Sequence, residues 1–328
     1  MRQLKLFTQY HHGGLFHSIV RLFEKRLGFK VFAPCGVDWQ LKGLWNYSTN
    51  EAVIKQFLSI DYCQKKEDGY YYYFDPAELL YQRRITFDQF KKEKFDILLC
   101  ALPEDEEVFR KLKREYQKEA ILIRLIGNSF ERLGGLDFDL ILDTTSQYEG
   151  LDDKKIIQIS QEFDTSVFNF EEPKYNNRIY SFLNEFKTAA TVKIYYALKS
   201  AMSDFDFRMF GSNSDDGMIT PYPKLAEKIK EATFVIHLKP QGDGFGHIIH
   251  NALACGRPVI TYKKFYEGRR ASKLLIDEES AIFLDDLGID EMVKKIKRLA
   301  YSNEYLRMAK KTALIFKQKV NFRLDEIK

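Results

Sequence analysis

The residues best equipped for chemistry in this chain lie in one run, Gln241-Gly-Asp-Gly-Phe-Gly-His-Ile-Ile-His-Asn-Ala-Leu-Ala-Cys-Gly-Arg-Pro-Val-Ile260. The pattern is a glycine loop running from a strand into a short helix and out through Gly256 to another strand. Gly244 and Gly246 let the backbone approach a ligand, and the amides of a first helical turn favour an anion there. At about 100° per residue, His247, His250 and Asn251 share one helix face, while Ile248, Ile249, Ala252 and Leu253 share the other. One face is expected to pack and the other to be available to a ligand. Glycine before a helix also serves an ordinary turn, so the loop alone leaves a structural role open.

Histidine is scarce, with six in 328 residues. His11, His12 and His17 surround Gly13-Gly14, and His237, His247 and His250 surround the glycine loop. This clustering favours a polar site where two segments meet, although each histidine alone would more often be structural. His247 and His250 have an i, i+3 spacing that could serve zinc. No HExxH and no nearby carboxylate pair accompany them, and no metal is expected.

The full string resembles the donor-binding segment of GT-B glycosyltransferases, in which an acidic residue precedes Gly-Phe-Gly and a helix ends in Ala-Cys-Gly-x-Pro-Val. Here these are Asp243, Gly244-Phe245-Gly246 and Ala254-Cys-Gly-Arg-Pro-Val259. The resemblance is good over residues 176–315 and architectural before that. It implies a nucleotide-sugar co-substrate with no other cofactor, bound without metal because amides and basic side chains carry the diphosphate charge. Gly244, Phe245, Gly246 and His247 would lie against the sugar and diphosphate. The family's second Glu, which grips the ribose, is Asn251 here; an amide still bonds hydroxyls, without charge assistance.

Lys187, Lys239 and Arg269 are the candidate phosphate partners, and an Arg fork suits two phosphates better than a lysine. Tyr222 stands where such enzymes cover the base, able to stack or to pack. Gly13-Gly14 takes the place of the family's first glycine-rich loop, facing the donor. Catalysis is assigned to His12 and Asp243, with His11 or His12 orienting the acceptor or moving a proton.

These residues need a scaffold, and the hydrophobic periodicity supplies one. Leu4–Thr8 reads as a strand, Ser18–Leu27 as a helix ended by Gly28, and Lys30–Ala33 as a second strand. Asn50–Leu58 looks helical, and Tyr70–Phe74 is either a strand or an aromatic loop. Phe95–Cys100 and Ala120–Ile126 are strands on either side of a charged helix, and Phe138–Leu142 closes the series. Residues 146–177 read as the crossing between domains. A second series follows, with strands at 179–183, 205–210, 234–238 and 258–261. The expected fold is α/β: GT-B, two doubly wound Rossmann-like domains facing a cleft. The first spans residues 1–165, the acceptor side, and the second residues 176–315, with a C-terminal helix over 303–328 packing back on the first.

Lys plus Arg is 51 against 47 Asp plus Glu, a net charge of +4, so any basic patch must be local. Four scattered cysteines without a CxxC pair suggest neither a zinc ribbon nor a disulfide framework, and fit a cytoplasmic location. No stretch approaches about 18 continuous apolar residues, so no membrane-spanning helix is expected. Aromatics are abundant at 15%, mostly Phe and Tyr. The resulting reading is a retaining glycosyltransferase acting on a hydroxyl acceptor, whether saccharide, lipid, protein or DNA. The alternatives are a phage-type DNA glycosyltransferase and a noncatalytic nucleotide-sugar binding protein.

Overall fold

The computed structural model describes residues 2–10, 13–35, 50–128, 131, 137–148 and 155–320. They fall into two compact units, one within Met1–Phe163 and one within Asp164–Asn321.

In the first unit the chain forms β1 (Lys5–Thr8), α1 (Gly13–Val20), β2 (Lys30–Pro34), α2 (Asn50–Leu58), β3 (Cys63–Lys65), β4 (Tyr71–Asp75) and β5 (Leu80–Ile85). It continues with α3 (Phe87–Lys92), β6 (Ile97–Cys100), α4 (Glu106–Glu115), β7 (Ile121–Ile126), β8 (Leu140–Asp143) and β9 (Ile156–Gln158). Strand order across the sheet is β3-β4-β5-β2-β1-β6-β7-β8-β9. β3, β4 and β5 pair antiparallel and the remaining pairs are parallel. The order therefore reverses between β1 and β6, the position where open sheets of this class leave a crevice.

The central strand β6 reads as an unbroken apolar run because both its faces are covered. On one face, Phe7, Phe90 and Phe95 pack ring against ring, with centroids 4.7 Å apart for Phe7–Phe90 and 5.2 Å for Phe90–Phe95. Part of the aromatic excess thus has a packing role. The helix expected from Ser18 starts at Gly13 and widens after Val20 into a π-helical turn over Arg21–Arg26. There Leu27 N–H donates to Leu22 O, five residues back, and Gly28 ends the turn at φ +73°. The series does not close at Leu142 as expected. β9 adds a further parallel strand, and its three residues are too few to carry a periodic signal.

In the second unit the elements are β10 (Arg178–Ser181), α5 (Val192–Ala201), β11 (Asp206–Met209), α6 (Tyr222–Glu231), β12 (Phe234–Ile236), α7 (His247–Ala254), β13 (Val259–Thr261), β14 (Ala281–Phe283), α8 (Ile289–Tyr301) and α9 (Glu304–Lys319). The sheet is all parallel with order β11-β10-β12-β13-β14, reversing between β10 and β12. Phe234, Ile236 and Leu238 alternate onto one face, where they meet α5 and α8 through Tyr195, Leu198 and Ile296. α9 packs within the same unit, Met308 joining that core and Thr312 Oγ1 donating to Glu279 O at 3.1 Å. Residues 321–328, the end of the expected C-terminal helix, lie outside the described residues.

The Ala-Cys-Gly-Arg-Pro string at the end of α7 is a helix stop. Gly256 takes a left-handed φ of +73°, its N–H donates to Leu253 O at 3.0 Å, and Arg257 N–H donates to Ala252 O at 2.8 Å. This is the paired 5→2 and 6→1 bonding of a Schellman motif. The buried Arg257 guanidinium then donates to Cys255 O at 2.7 Å and to Glu171 O at 2.6 Å. A Cβ on Gly256 would lie 2.5 Å from the Phe170 ring and 3.0 Å from Ala309 O. Gly256→Ala is therefore expected to destabilise the protein by more than ~1 kcal/mol in urea unfolding. A variant within ~0.5 kcal/mol of wild type, as for a surface change, would contradict this account.

Candidate functional site

The site begins where β12 ends. A loop leads from His237 to Gly246 and delivers the chain into α7 beside the strand-order reversal of the second sheet. Gly242 carries a φ of +64°, and its N–H donates to Lys239 O at 2.8 Å, closing a tight turn. A Cβ there would stand 2.3 Å from Phe265 O, so only glycine lets the loop lie this close to the turn over Lys263–Phe265. Gly246, also left-handed at φ +83°, is the N-cap of α7 and supplies no side-chain cap. The first intrahelical bond is His250 N–H to Gly246 O at 3.0 Å, so the amides before it point out of the helix head. A helix head of this kind attracts negative charge.

One carboxylate organises the loop. Asp243 Oδ2 lies 2.8 Å from His237 Nε2 and accepts from Tyr266 Oη at 3.3 Å, while Oδ1 accepts from the Lys239 ammonium. Burial alone would raise the Asp243 carboxyl, but the charges and hydrogen bonds of His237 and Lys239 outweigh it and hold it well below the usual carboxylate range. Burial, reinforced by Asp243, pushes the Tyr266 phenol the other way, so it is a hydrogen-bond donor.

The helix face expected to be available to a ligand is largely closed. His250 is buried, its Nδ1–H donates to Gly246 O at 2.9 Å, and its ring stacks on Phe245 with centroids 3.8 Å apart. Asn251 is buried as well, and its Oδ1 has no hydrogen-bond partner among the described residues. Periodicity assigned these residues to a polar face, yet α7 is so short and so enclosed that helix and loop cover them from several sides. His247, at the helix head, is half-buried and meets the Phe245 ring edge-on at 5.2 Å.

The remaining expected residues divide. Asp243, Lys239, Gly244, Phe245, Gly246 and His247 come together in the loop and helix head. Arg269 joins them, its guanidinium donating to Gln241 O at 3.4 Å. Lys187 is instead ion-paired with Asp215 at 2.7 Å. Tyr222 opens α6 with its ring 6.3 Å from Phe168. In the first unit, Gly13 and Gly14 open α1, while His11 and His12 lie outside the described residues. His17 is buried inside that unit, bonded to Asp75 at 3.0 Å and to Gln82 at 3.1 Å. Sequence reasoning missed Gly242 and Tyr266 and counted His237 only among the histidines. Gly242 was visible beside Asp243, whereas Tyr266 has no local signal, being 23 residues downstream.

No family model and no curated protein matches the chain. Solved structures do. HepE from Anabaena, in complex with UDP and glucose, is 10% identical with a TM-score of 0.66, the match covering 98% of this chain and 96% of that one. TarM is 12% identical with a TM-score of 0.63, covering 98% and 97%. An alpha-glucosyltransferase in complex with UDP and a 13-mer DNA is 10% identical with a TM-score of 0.64, covering 98% and 96%. The chain has the GT-B fold. In this GT-B chain the glycine loop follows the strand at which the second sheet reverses, where doubly wound sheets hold ligands.

Burial pushes the His250 imidazole down from 6.5 to about 4, against a small opposing effect of the Gly246 carbonyl. The folded value lies below the unfolded one, so between pH 6.5 and 4 the unfolded chain takes up a proton that the folded chain refuses. Stability conferred by this group thus falls as pH falls through that window. Wild type is expected to lose about 3 kcal/mol there relative to His250→Asn, which keeps a donor for Gly246 O. Urea unfolding of both proteins at pH 7 and pH 4.5 measures the difference; parallel curves would refute a buried neutral imidazole.

Proposed function

We propose that the protein is a glycosyltransferase that moves a sugar from a UDP-sugar to a hydroxyl acceptor. The observation that carries this is the head of α7, which has no side-chain cap and follows the loop after β12, with Lys239 on that loop and Arg269 donating to it from a later turn. Such a helix head suits a diphosphate. HepE and the alpha-glucosyltransferase, which share the fold, were solved with UDP, which supports that nucleotide.

In the proposed reaction the bond between the sugar C1 and the terminal phosphate oxygen breaks, and the diphosphate leaves with the electron pair. Its growing charge falls on the α7 amides and on Arg269, which are already in place, so no metal is required. The acceptor oxygen forms the new bond to C1 and gives up its proton, with His12 as the proposed group that orients the acceptor or takes the proton. Retention of configuration is part of the proposal and rests on the likeness of the glycine loop to retaining members. Asp243 keeps the loop in shape, and Asn251 takes the place of the ribose-gripping Glu with a single acceptor oxygen. Lys187 and Tyr222 are secondary candidates for phosphate and base.

A thermal-shift panel of UDP, GDP, ADP, CDP and dTDP sugars tests the donor. A ligand at 100 times its dissociation constant adds ~2.7 kcal/mol, a rise of several degrees. UDP-sugars are expected to give it, and Arg269→Ala to weaken UDP binding by about tenfold through the lost charge-assisted bond. If no nucleotide sugar moves the midpoint, the reading fails. If one does but neither donor hydrolysis nor transfer accompanies binding, a noncatalytic binding protein takes its place.

A further inference from the structure

The aromatic run Tyr70-Tyr-Tyr-Tyr-Phe74 becomes β4, and the two-residue period of a strand divides it between two faces. Tyr71 and Tyr73 turn inward, where they pack with Cys35, Ile54 and Phe57. Tyr72 and Phe74 turn outward. In the antiparallel register Phe74 stands opposite Tyr81 of β5, with ring centroids 5.0 Å apart, and its other ring neighbour is Tyr62, 6.2 Å away. Tyr62 and Tyr81 are 62% and 50% exposed and Phe74 is half-buried, so three adjoining rings lie open on one face of the sheet. The phenols of Tyr62 and Tyr81 have no hydrogen-bond partner among the described residues. The cations that touch this face are balanced by carboxylates. The Lys66 ammonium lies 4.1 Å from the centre of the Tyr81 ring and 4.3 Å from that of Tyr72, whose phenol donates to Asp68 at 2.6 Å. Arg83, 5.7 Å from the Tyr72 ring, is ion-paired with Glu24 at 2.8 Å.

We propose that this face is a binding site for a neutral saccharide chain. Such a chain carries hydroxyls of the kind the proposed reaction consumes, but its binding here does not depend on that reading. A sugar ring has a face of C–H bonds whose partial positive charge suits the negative face of an aromatic ring, and an edge of hydroxyls that both donate and accept. Tyr62, Phe74 and Tyr81 supply the rings, and the two exposed phenols supply polar partners beside them. Charge selects against a polyanion. Nucleic acids and anionic lipids are held by several uncompensated cations, whereas Arg83 is committed to Glu24, and Lys66 lies over two rings with Asp68 on the nearer phenol. Size selects against a second copy of the chain. At about 150–250 Å² for a whole aromatic side chain, three partly exposed rings offer on the order of 300 Å². A stable dimer takes about 800 Å² from each partner. The open area is that of a short stretch of sugar rings.

Titration calorimetry of the full-length protein with uncharged oligosaccharides tests this, using maltohexaose, cellohexaose, laminarihexaose and mannohexaose with no nucleotide sugar present. At least one is expected to bind, with an affinity that added salt leaves unchanged. Tyr62→Ala combined with Tyr81→Ala is expected to lose about tenfold in that affinity through the missing ring contacts. Both side chains are exposed, so the urea unfolding midpoint is expected to stay at the wild-type value. Tyr62→Phe combined with Tyr81→Phe keeps the rings and is expected to keep most of the affinity, which a role in hydrogen bonding alone would not allow. Failure of all four saccharides to bind, or binding that survives the paired alanine change, overturns the inference. So does binding confined to the polyanions heparin and oligothymidylate, or a dimer in sedimentation that the alanine changes abolish. Each of these results leaves the donor reading standing, because that reading is tested with nucleotide sugars alone.

Discussion

The second unit depends on placing one negative charge where water only partly shields it. Asp243 is drawn into the protein by His237 from the end of a strand, Lys239 from the loop and Tyr266 from a distant turn. A carboxylate so enclosed is costly unless its hydrogen-bonding capacity is met, and removing one partner of such a cluster leaves a buried charge uncompensated. The segments must therefore stay together or separate together. The glycines serve this same constraint: without the missing Cβ at Gly242 the loop would stand off from Phe265, and Tyr266 could not reach the carboxylate.

The two ends of α7 are built on opposite principles, and together they define what the helix does. Its C-terminus is fully satisfied, by the Schellman bonds through Gly256 and by the Arg257 guanidinium on nearby carbonyls. Its N-terminus carries no side-chain cap. A helix anchored at its tail and without a side-chain cap at its head presents a fixed partial positive charge, the feature on which the proposed diphosphate contact rests.

Much of this was legible in the sequence. Alternating and continuous apolar runs marked most strands, and Gly244 to Gly246 with the Ala-Cys-Gly-Arg-Pro-Val string marked the loop and helix stop, because these features depend on neighbours within a few residues. What escaped depends on distant partners. The helix wheel placed His250 and Asn251 on an open face, but the covering of that face comes from the loop folding back through Phe245. Lys187 has an exposed ion-pair partner in Asp215, 28 residues away in sequence, a contact that no local pattern signals. Tyr266 could not be foreseen, since its role exists only when Gly242 brings two segments into contact. In the first unit, β9 was lost to its brevity, and the π-helical turn after Val20 preserves the apolar spacing of an ordinary helix.

The strand order of the first sheet also bears on how the protein behaves in concentrated solution. Among the described residues, both margins of that sheet, Cys63–Lys65 and Ile156–Gln158, are only three residues long, and one of them carries Gln64 and Lys65 exposed. A margin offers unpaired amides and carbonyls in proportion to its length, and a charged side chain makes the docking of another strand unfavourable. The long, apolar, aggregation-prone strands are all interior, so the sheet is large without presenting a template on which other chains could assemble.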